Sequence, residues 1–151
     1  MLFRSLVWAG NPMLAKDALR SIPLRDWAPI LAVQGVSFVS LQKSEASAQL
    51  AGTSFPITDW MSQSTDLLDT AALVANLDLI ICVDTAIAHL GGALGKPVWL
   101  LNRHESEWRW LLERSDSPWY PTMRIFRQHA EHDWHDCIKN VSIALKALAV
   151  S

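Results

Sequence analysis

The sequence predicts an α/β protein built on a doubly wound parallel sheet, with residues 1–151 forming a single domain. Three observations carry this. Short apolar runs alternate with helical periodicities along the whole chain. The run Leu79–Val83 is unbroken and rich in branched residues, as expected of a parallel strand covered on both faces. Residues 79–99 read as strand, sharp turn, short helix and strand, the repeating unit of such a sheet.

The elements follow in order. Residues 2–8 form a first strand, ended by the breakers Gly10, Asn11 and Pro12. A Gly-Asn turn there can present backbone N–H groups to a ligand or serve as a plain connection. Residues 13–20 lack periodicity and read as a loop over the carboxyl ends of the strands. Ser21-Ile22-Pro23 opens a helix carrying Leu24, Trp27 and Leu31, which Pro29 kinks or shortens and Gly35 ends. Residues 36–41 are the second strand, placing Gln42 and Lys43 at its carboxyl, ligand-binding end. Residues 44–50 suit a short helix, and residues 55–58 a third strand that Pro56 demotes to an edge. Thr65, Asp66 or Asp69 caps the next helix, which runs to Leu77. After the central unit, Trp108, Leu111 and Leu112 can share a helical face. Residues 123–127 make a last strand, and Trp134, Ile138, Val141, Leu145 and Leu148 mark a closing amphipathic helix.

The junction after Leu79–Val83 is the candidate site. Asp84 can cap the following helix, and Gly95 and Pro97 end it. Ile87, Leu90, Gly91 and Leu94 form one stripe for the sheet. Thr85, His89 and Gly92 fall opposite, which predicts a histidine outside the core. A helix N-terminus at the carboxyl end of a parallel strand favours an anion, typically phosphate. Asp84 is itself anionic, so a phosphate there meets the N–H groups of Thr85 and Ala86 and the Thr85 hydroxyl. A capped helix with an exposed histidine accounts equally well for the periodicity.

Composition narrows the function classes. Half the residues are apolar and the net charge is −2, which argues against disorder and against a general nucleic-acid or acidic-membrane binder. No apolar run approaches the ~20 residues of a membrane span. Cys82 and Cys137 read as buried thiols of a reducing compartment, the cytoplasm by default. P-loop, Gly-x-Gly-x-x-Gly and Gly-x-Ser-x-Gly motifs are absent. Gly91-Gly92 reads as close packing inside a helix. His129, His132 and His135, with Asp133, Asp136 and Cys137, read as a solvated helix start capped by Asp133 rather than a metal site. Arg20 and Lys43 fall near the carboxyl edge, where with the Thr85 terminus they can neutralise a diphosphate. Trp108, Trp110 and Trp119 belong either to the core or to an interface with a partner domain.

At Asp84-Thr85-Ala86-x-x-His89-Leu90, followed by Ala93-Leu94-Gly95-Lys96-Pro97-Val98-Trp99, the chain resembles the carboxyl-terminal half of bacterial glycosyltransferases related to the lipopolysaccharide heptosyltransferases. The likeness is greatest to those attached to tetratricopeptide repeats. It extends through Leu6-Val7-Trp8-Ala9-Gly10-Asn11-Pro12, Arg20-Ser21-Ile22-Pro23-Leu24, Ser40-Leu41-Gln42-Lys43, Trp108-Arg109-Trp110-Leu111-Leu112 and Ser117-Pro118-Trp119-Tyr120-Pro121. The resemblance implies one Rossmann-like half of a GT-B architecture that binds a nucleotide-diphosphate sugar as donor substrate, for inverting transfer without a metal or other cofactor. It implies that Asp84, Thr85 and Ala86 contact the diphosphate with His89 nearby, and that Arg20 and Lys43 approach the phosphates. Gly10, Asn11 and Gln42 complete the expected nucleotide-sugar-binding set.

Two departures qualify the likeness. Residues 13–19 lack the His and Asn-Asp common in relatives after Gly-Asn-Pro. No amino-terminal domain, which would supply acceptor contacts and the general base, is present in these residues. The expectation is therefore a donor-binding half, incomplete for catalysis alone and served by a missing amino-terminal domain or partner subunit. A non-catalytic nucleotide-binding or protein-interaction module is the alternative; half of a sugar-nucleotide epimerase is a weaker third.

Overall fold

The computed structural model describes residues 2–150. Six parallel strands form one sheet: β1 (Phe3–Val7), β2 (Ser37–Ser40), β3 (Ile57–Asp59), β4 (Leu79–Val83), β5 (Val98–Asn102) and β6 (Met123–Arg127). Their order is β3-β2-β1-β4-β5-β6. This is the doubly wound order, in which the direction of progression reverses between β1 and β4. Register follows from the pairs Leu6–Ile81 and Cys82–Leu100 at the centre. The third strand lies at an edge, but it begins after Pro56, at Ile57 rather than at residue 55 as expected.

The helices are α1 (Asp17–Arg20), α2 (Ala28–Leu31), α3 (Leu67–Ala75), α4 (Ala86–Ala93) and α5 (His135–Ala149). Alternation along the strands splits the core in two. Leu79, Ile81 and Val83 pack with Trp27, Ile30, Ile138, Val141 and Leu145 on one face. Ile80 and Cys82 pack with Val74, Ala88 and Trp110 on the other. Both faces of β4 are therefore covered, which is why its sequence is apolar at every position.

Four expectations need correction. Residues 13–20 are not all loop, because α1 closes them. It is held by polar groups, Asp17 to Arg20 and to the Ser21 hydroxyl, rather than by an apolar stripe. The helix expected after Pro23 is a 3-10 turn, Leu24–Trp27, followed by α2, with Pro29 in its first turn where the missing N–H is tolerated. Residues 44–50 likewise form a 3-10 segment, Glu45–Leu50. Residues 103–117 form no helix: Leu111 has φ 55°, and of their two tryptophans Trp110 is buried and Trp108 exposed, as is Trp119 beyond them.

The α4 stripe also shifts. Its buried residues are Ala88, Gly91 and Gly92, and Leu94 is exposed. A Cβ on Gly91 would lie 2.5 Å from Ile80 Cδ1, and one on Gly92 would lie 2.5 Å from the Tyr120 ring. Both glycines thus serve close packing, against the sheet and against the loop before β6. Asp66 caps α3 by accepting from the Asp69 N–H at 2.8 Å. At α5 the Asp133 carboxylate accepts from the His135 N–H, one position outside the helix boundary.

Candidate functional site

Loops after β1 and β2 and the start of α4 converge at the carboxyl edge, where the strand order reverses. They enclose a cavity of about 540 Å³. Open α/β sheets bind ligands at this point. The cavity is lined by Gly10, Asn11, Arg20, Gln42, Lys43, Thr85 and Ala86, seven of the residues expected from the sequence. Most of the exposed lining is apolar, from side chains such as Leu41, Met61, Leu67 and Ile87.

At its centre is the first turn of α4. Thr85 is the N-cap residue in extended geometry, yet its side chain makes no cap hydrogen bond. The Thr85 Oγ1 is buried and has no partner among the described residues. The Ala88 N–H turns back to the Thr85 carbonyl at 3.0 Å, leaving the N–H groups of Ala86 and Ile87 without an acceptor among the described residues. A hydroxyl and two amides at the positive end of a helix dipole are thus left unsatisfied together, beside a cavity.

Asp84 and His89, also expected at the site, do not line the cavity. Asp84 is buried, and its carboxylate is not the cap. Its carbonyl accepts from Arg20 Nη1 at 2.8 Å, which ties α1 to the strand end. The His89 ring stacks on Trp110 at 5.1 Å between centroids, and its Nδ1 shares a hydrogen bond of 2.9 Å with the Tyr120 hydroxyl. The helix face that carries His89 and Gly92 packs against Trp110 and Tyr120.

The two basic groups differ in freedom. Arg20 Nε donates to Asp17 Oδ1 at 2.8 Å, so the guanidinium is held in place with part of its charge balanced. Among the described residues Lys43 Nζ donates to the Ser64 carbonyl at 3.5 Å and forms no ion pair, although its charge also acts on the Asp69 carboxylate. Gln42 plays a different part from the one expected. Buried, it accepts from the N–H groups of Trp8 and Ala9 at 2.9 Å and donates to the carbonyls of Ala9 and Lys43. It braces the two loops and has no donor or acceptor to spare. Asn11 folds its own turn, its Oδ1 accepting from the Met13 N–H at 3.0 Å. At Gly10 a Cβ would displace the Arg20 guanidinium and the Asp17 carboxylate from their present positions.

Sequence reasoning missed Ser44, Met61, Asp66, Leu67 and Thr70, which also line the cavity. Ser44 has φ 76° and ψ −177°, a region that glycine alone occupies without strain. The start of α3 follows β3 and so points to the same edge as α4; the Asp66 cap and the topology together were the signal for it. Among the described residues no group of three His, Cys, Asp or Glu side chains is placed to hold a metal ion. His132, with φ 61°, lies outside α5.

Comparison with known proteins gives the family and the fold. Residues 34–143 match the model of glycosyltransferase family 9 (heptosyltransferase). The chain is 32% identical over 152 residues to the protein FlbA of Caulobacter vibrioides, an alignment covering 97% of this chain and 25% of FlbA. Among solved structures it is similar to E. coli ADP-heptose lps heptosyltransferase II, with 18% identity, a TM-score of 0.63 and 99% of this chain against 46% of that one. It is similar also to E. coli heptosyltransferase WaaC, solved with ADP-2-deoxy-2-fluoro heptose: 14% identity, TM-score 0.64, 97% against 42%. A family 9 glycosyl transferase from Veillonella parvula gives 12% identity and a TM-score of 0.66, with 99% against 46% covered. The chain spans a quarter of FlbA and less than half of each of these structures, which at such identities speak for the fold. With the match to the family model extending over most of its length, the chain belongs to glycosyltransferase family 9 (heptosyltransferase).

Proposed function

We propose that this chain binds the nucleoside-diphosphate end of a nucleotide-sugar donor, in an inverting transfer that uses no metal. The observation that carries the reading is the unsatisfied trio at the start of α4, the Thr85 hydroxyl and the amides of Ala86 and Ile87, beside the cavity where the strand order reverses. The diphosphate lies against that trio, with Lys43 and the anchored Arg20 flanking it. The apolar wall formed by Leu41, Met61 and Leu67 suits the base and ribose.

In the reaction an acceptor hydroxyl attacks the anomeric carbon as the bond from that carbon to the diphosphate oxygen breaks. The diphosphate leaves with the electron pair, and the helix amides and cations stabilise the charge it gains. The acceptor proton passes to a base outside these residues. This is the donor-binding half of a longer catalytic unit, consistent with the share of each relative that it spans. An amino-terminal acceptor domain or partner subunit supplies the acceptor side, and the helical-repeat attachment belongs to the same proposal. The two free buried thiols suit a reducing, cytoplasmic setting. Among the described residues no helix is long and apolar enough to cross a membrane.

Calorimetric titration with ADP, UDP, GDP and CMP tests the reading. One diphosphate should bind with a clear base preference, and Thr85→Val should weaken it about tenfold, the worth of one hydrogen bond to a charged group. Binding of none of them, or equal binding by Thr85→Val, overturns the reading in favour of a module that retains only the fold. Sugar transfer by this chain alone would refute its incompleteness.

A further inference from the structure

Asp66 is the single acidic side chain that lines the donor cavity; every other is neutral or cationic. A carboxylate beside a diphosphate opposes binding, so its place in that lining calls for a reason. Residue 66 is the N-cap of α3, where its Oδ1 accepts from the Asp69 N–H at 2.8 Å. Serine, threonine or asparagine would cap the helix without the charge. Nor does the helix dipole call for it, because Asp69 already places an acid in the first turn.

The residue is also held in place. The Asp66 carbonyl lies 2.9 Å from the Thr70 hydroxyl and 3.1 Å from the Ser64 hydroxyl, and Ser64 and Thr70 are both buried. With the cap bond, backbone and side chain are fixed together, which is the preorganisation a binding group needs. Oδ2, by contrast, has no hydrogen-bond partner among the described residues, and the carboxylate forms no ion pair among them. Thr70 lines the cavity one turn farther along α3, but its hydroxyl is engaged by the Asp66 carbonyl and by Ser64. Asp66 Oδ2 is therefore the side-chain acceptor that α3 leaves open beside the cavity.

We propose that Asp66 selects the ribose of the nucleotide, its Oδ2 accepting from the ribose hydroxyls; this contact rests on the donor-site reading. An open acceptor is matched by neutral donors, and the ribose hydroxyls are the donors that every nucleoside diphosphate shares. Doubly wound sheets recurrently hold a ribose through an acidic side chain. Gln42, at the end of β2, supplies no such acid and is fully engaged between two loops. Leu67, next in the chain after Asp66, belongs to the apolar wall, so the carboxylate stands beside the surface that suits the base. The cavity thereby favours ribonucleotides over their deoxy forms.

Calorimetry on the 151-residue chain tests this with ADP, UDP, GDP and CMP, each beside its 2′-deoxy and 3′-deoxy analogues. For the nucleotide that binds, loss of a contacted hydroxyl should weaken binding to the parent about tenfold. Asp66→Asn and Asp66→Ser both keep a capping oxygen, and an unchanged urea midpoint checks that they keep the fold. Each should bind the ribonucleotide about tenfold more weakly than the parent and lose most of the discrimination against the deoxy analogues. A residue that only caps α3 gives the opposite sign, because removing its charge leaves diphosphate binding unchanged or tighter; that result overturns the proposal. Equal weakening of the ribo and deoxy forms would assign the carboxylate to the base and overturn it as well. If no nucleotide binds, the proposal falls together with the donor reading. If nucleotides bind without regard to their ribose hydroxyls, the donor reading stands and the role of Asp66 alone falls.

Discussion

Thr85 occupies the N-cap of α4 without doing the work of a cap, since its hydroxyl bonds to nothing among the described residues. A side chain that contributes no hydrogen bond to the fold can be changed at little cost. Thr85→Val, nearly the same shape, should leave the urea midpoint close to that of the parent, within the ±0.5 kcal/mol of an ordinary substitution. A loss of 2 kcal/mol or more, on the order of a broken buried hydrogen bond, would mean that the hydroxyl is structural. Ser44 poses the opposite case. Its φ of 76° strains the backbone at the cavity rim, so Ser44→Gly should stabilise the protein by up to about 1 kcal/mol in denaturant titration. Such single-residue features left no trace in the sequence, because an unpartnered hydroxyl and a strained φ arise from the surroundings and not from local pattern. The same holds for His89. Periodicity placed it opposite the sheet stripe, and only the fold revealed that Trp110 and Tyr120 already occupy that side.

Among the elements, legibility followed the source of stability. β4 was readable to its ends because continuous burial demands continuous apolar sequence, whereas β6 was read from Met123, Ile125 and Phe126 between exposed and half-buried arginines. The helix α1 was not readable, since its anchors are Asp17, Arg20 and Ser21, a polar network with no periodicity. Residues 103–117 misled for a related reason. Trp108, Leu111 and Leu112 have helical spacing, but the cations and carbonyls around Arg127 dictate an irregular path, and the apolar side chains are left outside. Close packing of α4 on the sheet gives a direct test. Gly91→Ala puts a methyl 2.5 Å from Ile80 Cδ1 and 2.9 Å from Val98 Cγ2. It should destabilise by about 1–3 kcal/mol despite the better helix propensity of alanine. A gain in stability would show that the helix stands farther from the sheet. Gln42→Ala should cost about as much, because it frees the buried N–H groups of Trp8 and Ala9 at once, and nucleotide binding should weaken with it as the Lys43 loop loosens.

At the scale of the whole molecule, the two cysteines report on the core. Each thiol is buried, Cys82 completely. Burial pushes the Cys137 thiol up to about 12, and burial together with the nearby Asp84 charge pushes Cys82 up as well. The unfolded chain ionises its thiols from about pH 8.5, whereas the folded chain keeps them protonated. Their contribution is therefore intact below that pH and declines toward about pH 12, by up to ~1.4 kcal/mol per pH unit for each thiol. Denaturant titrations at pH 8 and pH 10 should show this decline, and Cys137→Ala should show about half the slope. An unchanged slope in that variant would place the alkaline sensitivity in other groups. The doubly wound parallel sheet was legible from alternating patterns alone, and so was the edge where the cavity lies; the strand order came only with the structure. The cavity was not, because it is assembled from four segments that meet only after folding.

The account depends on the amides of Ala86 and Ile87 receiving phosphoryl oxygens, and those two N–H groups can be watched directly by ¹H–¹⁵N NMR during nucleotide titration. On adding the nucleoside diphosphate that binds, both amide protons should move downfield as they acquire an anionic acceptor, and the corresponding nucleoside without phosphate should leave them in place. Binding that leaves both resonances unmoved, with shifts gathered elsewhere on the chain, would contradict the assignment of this site.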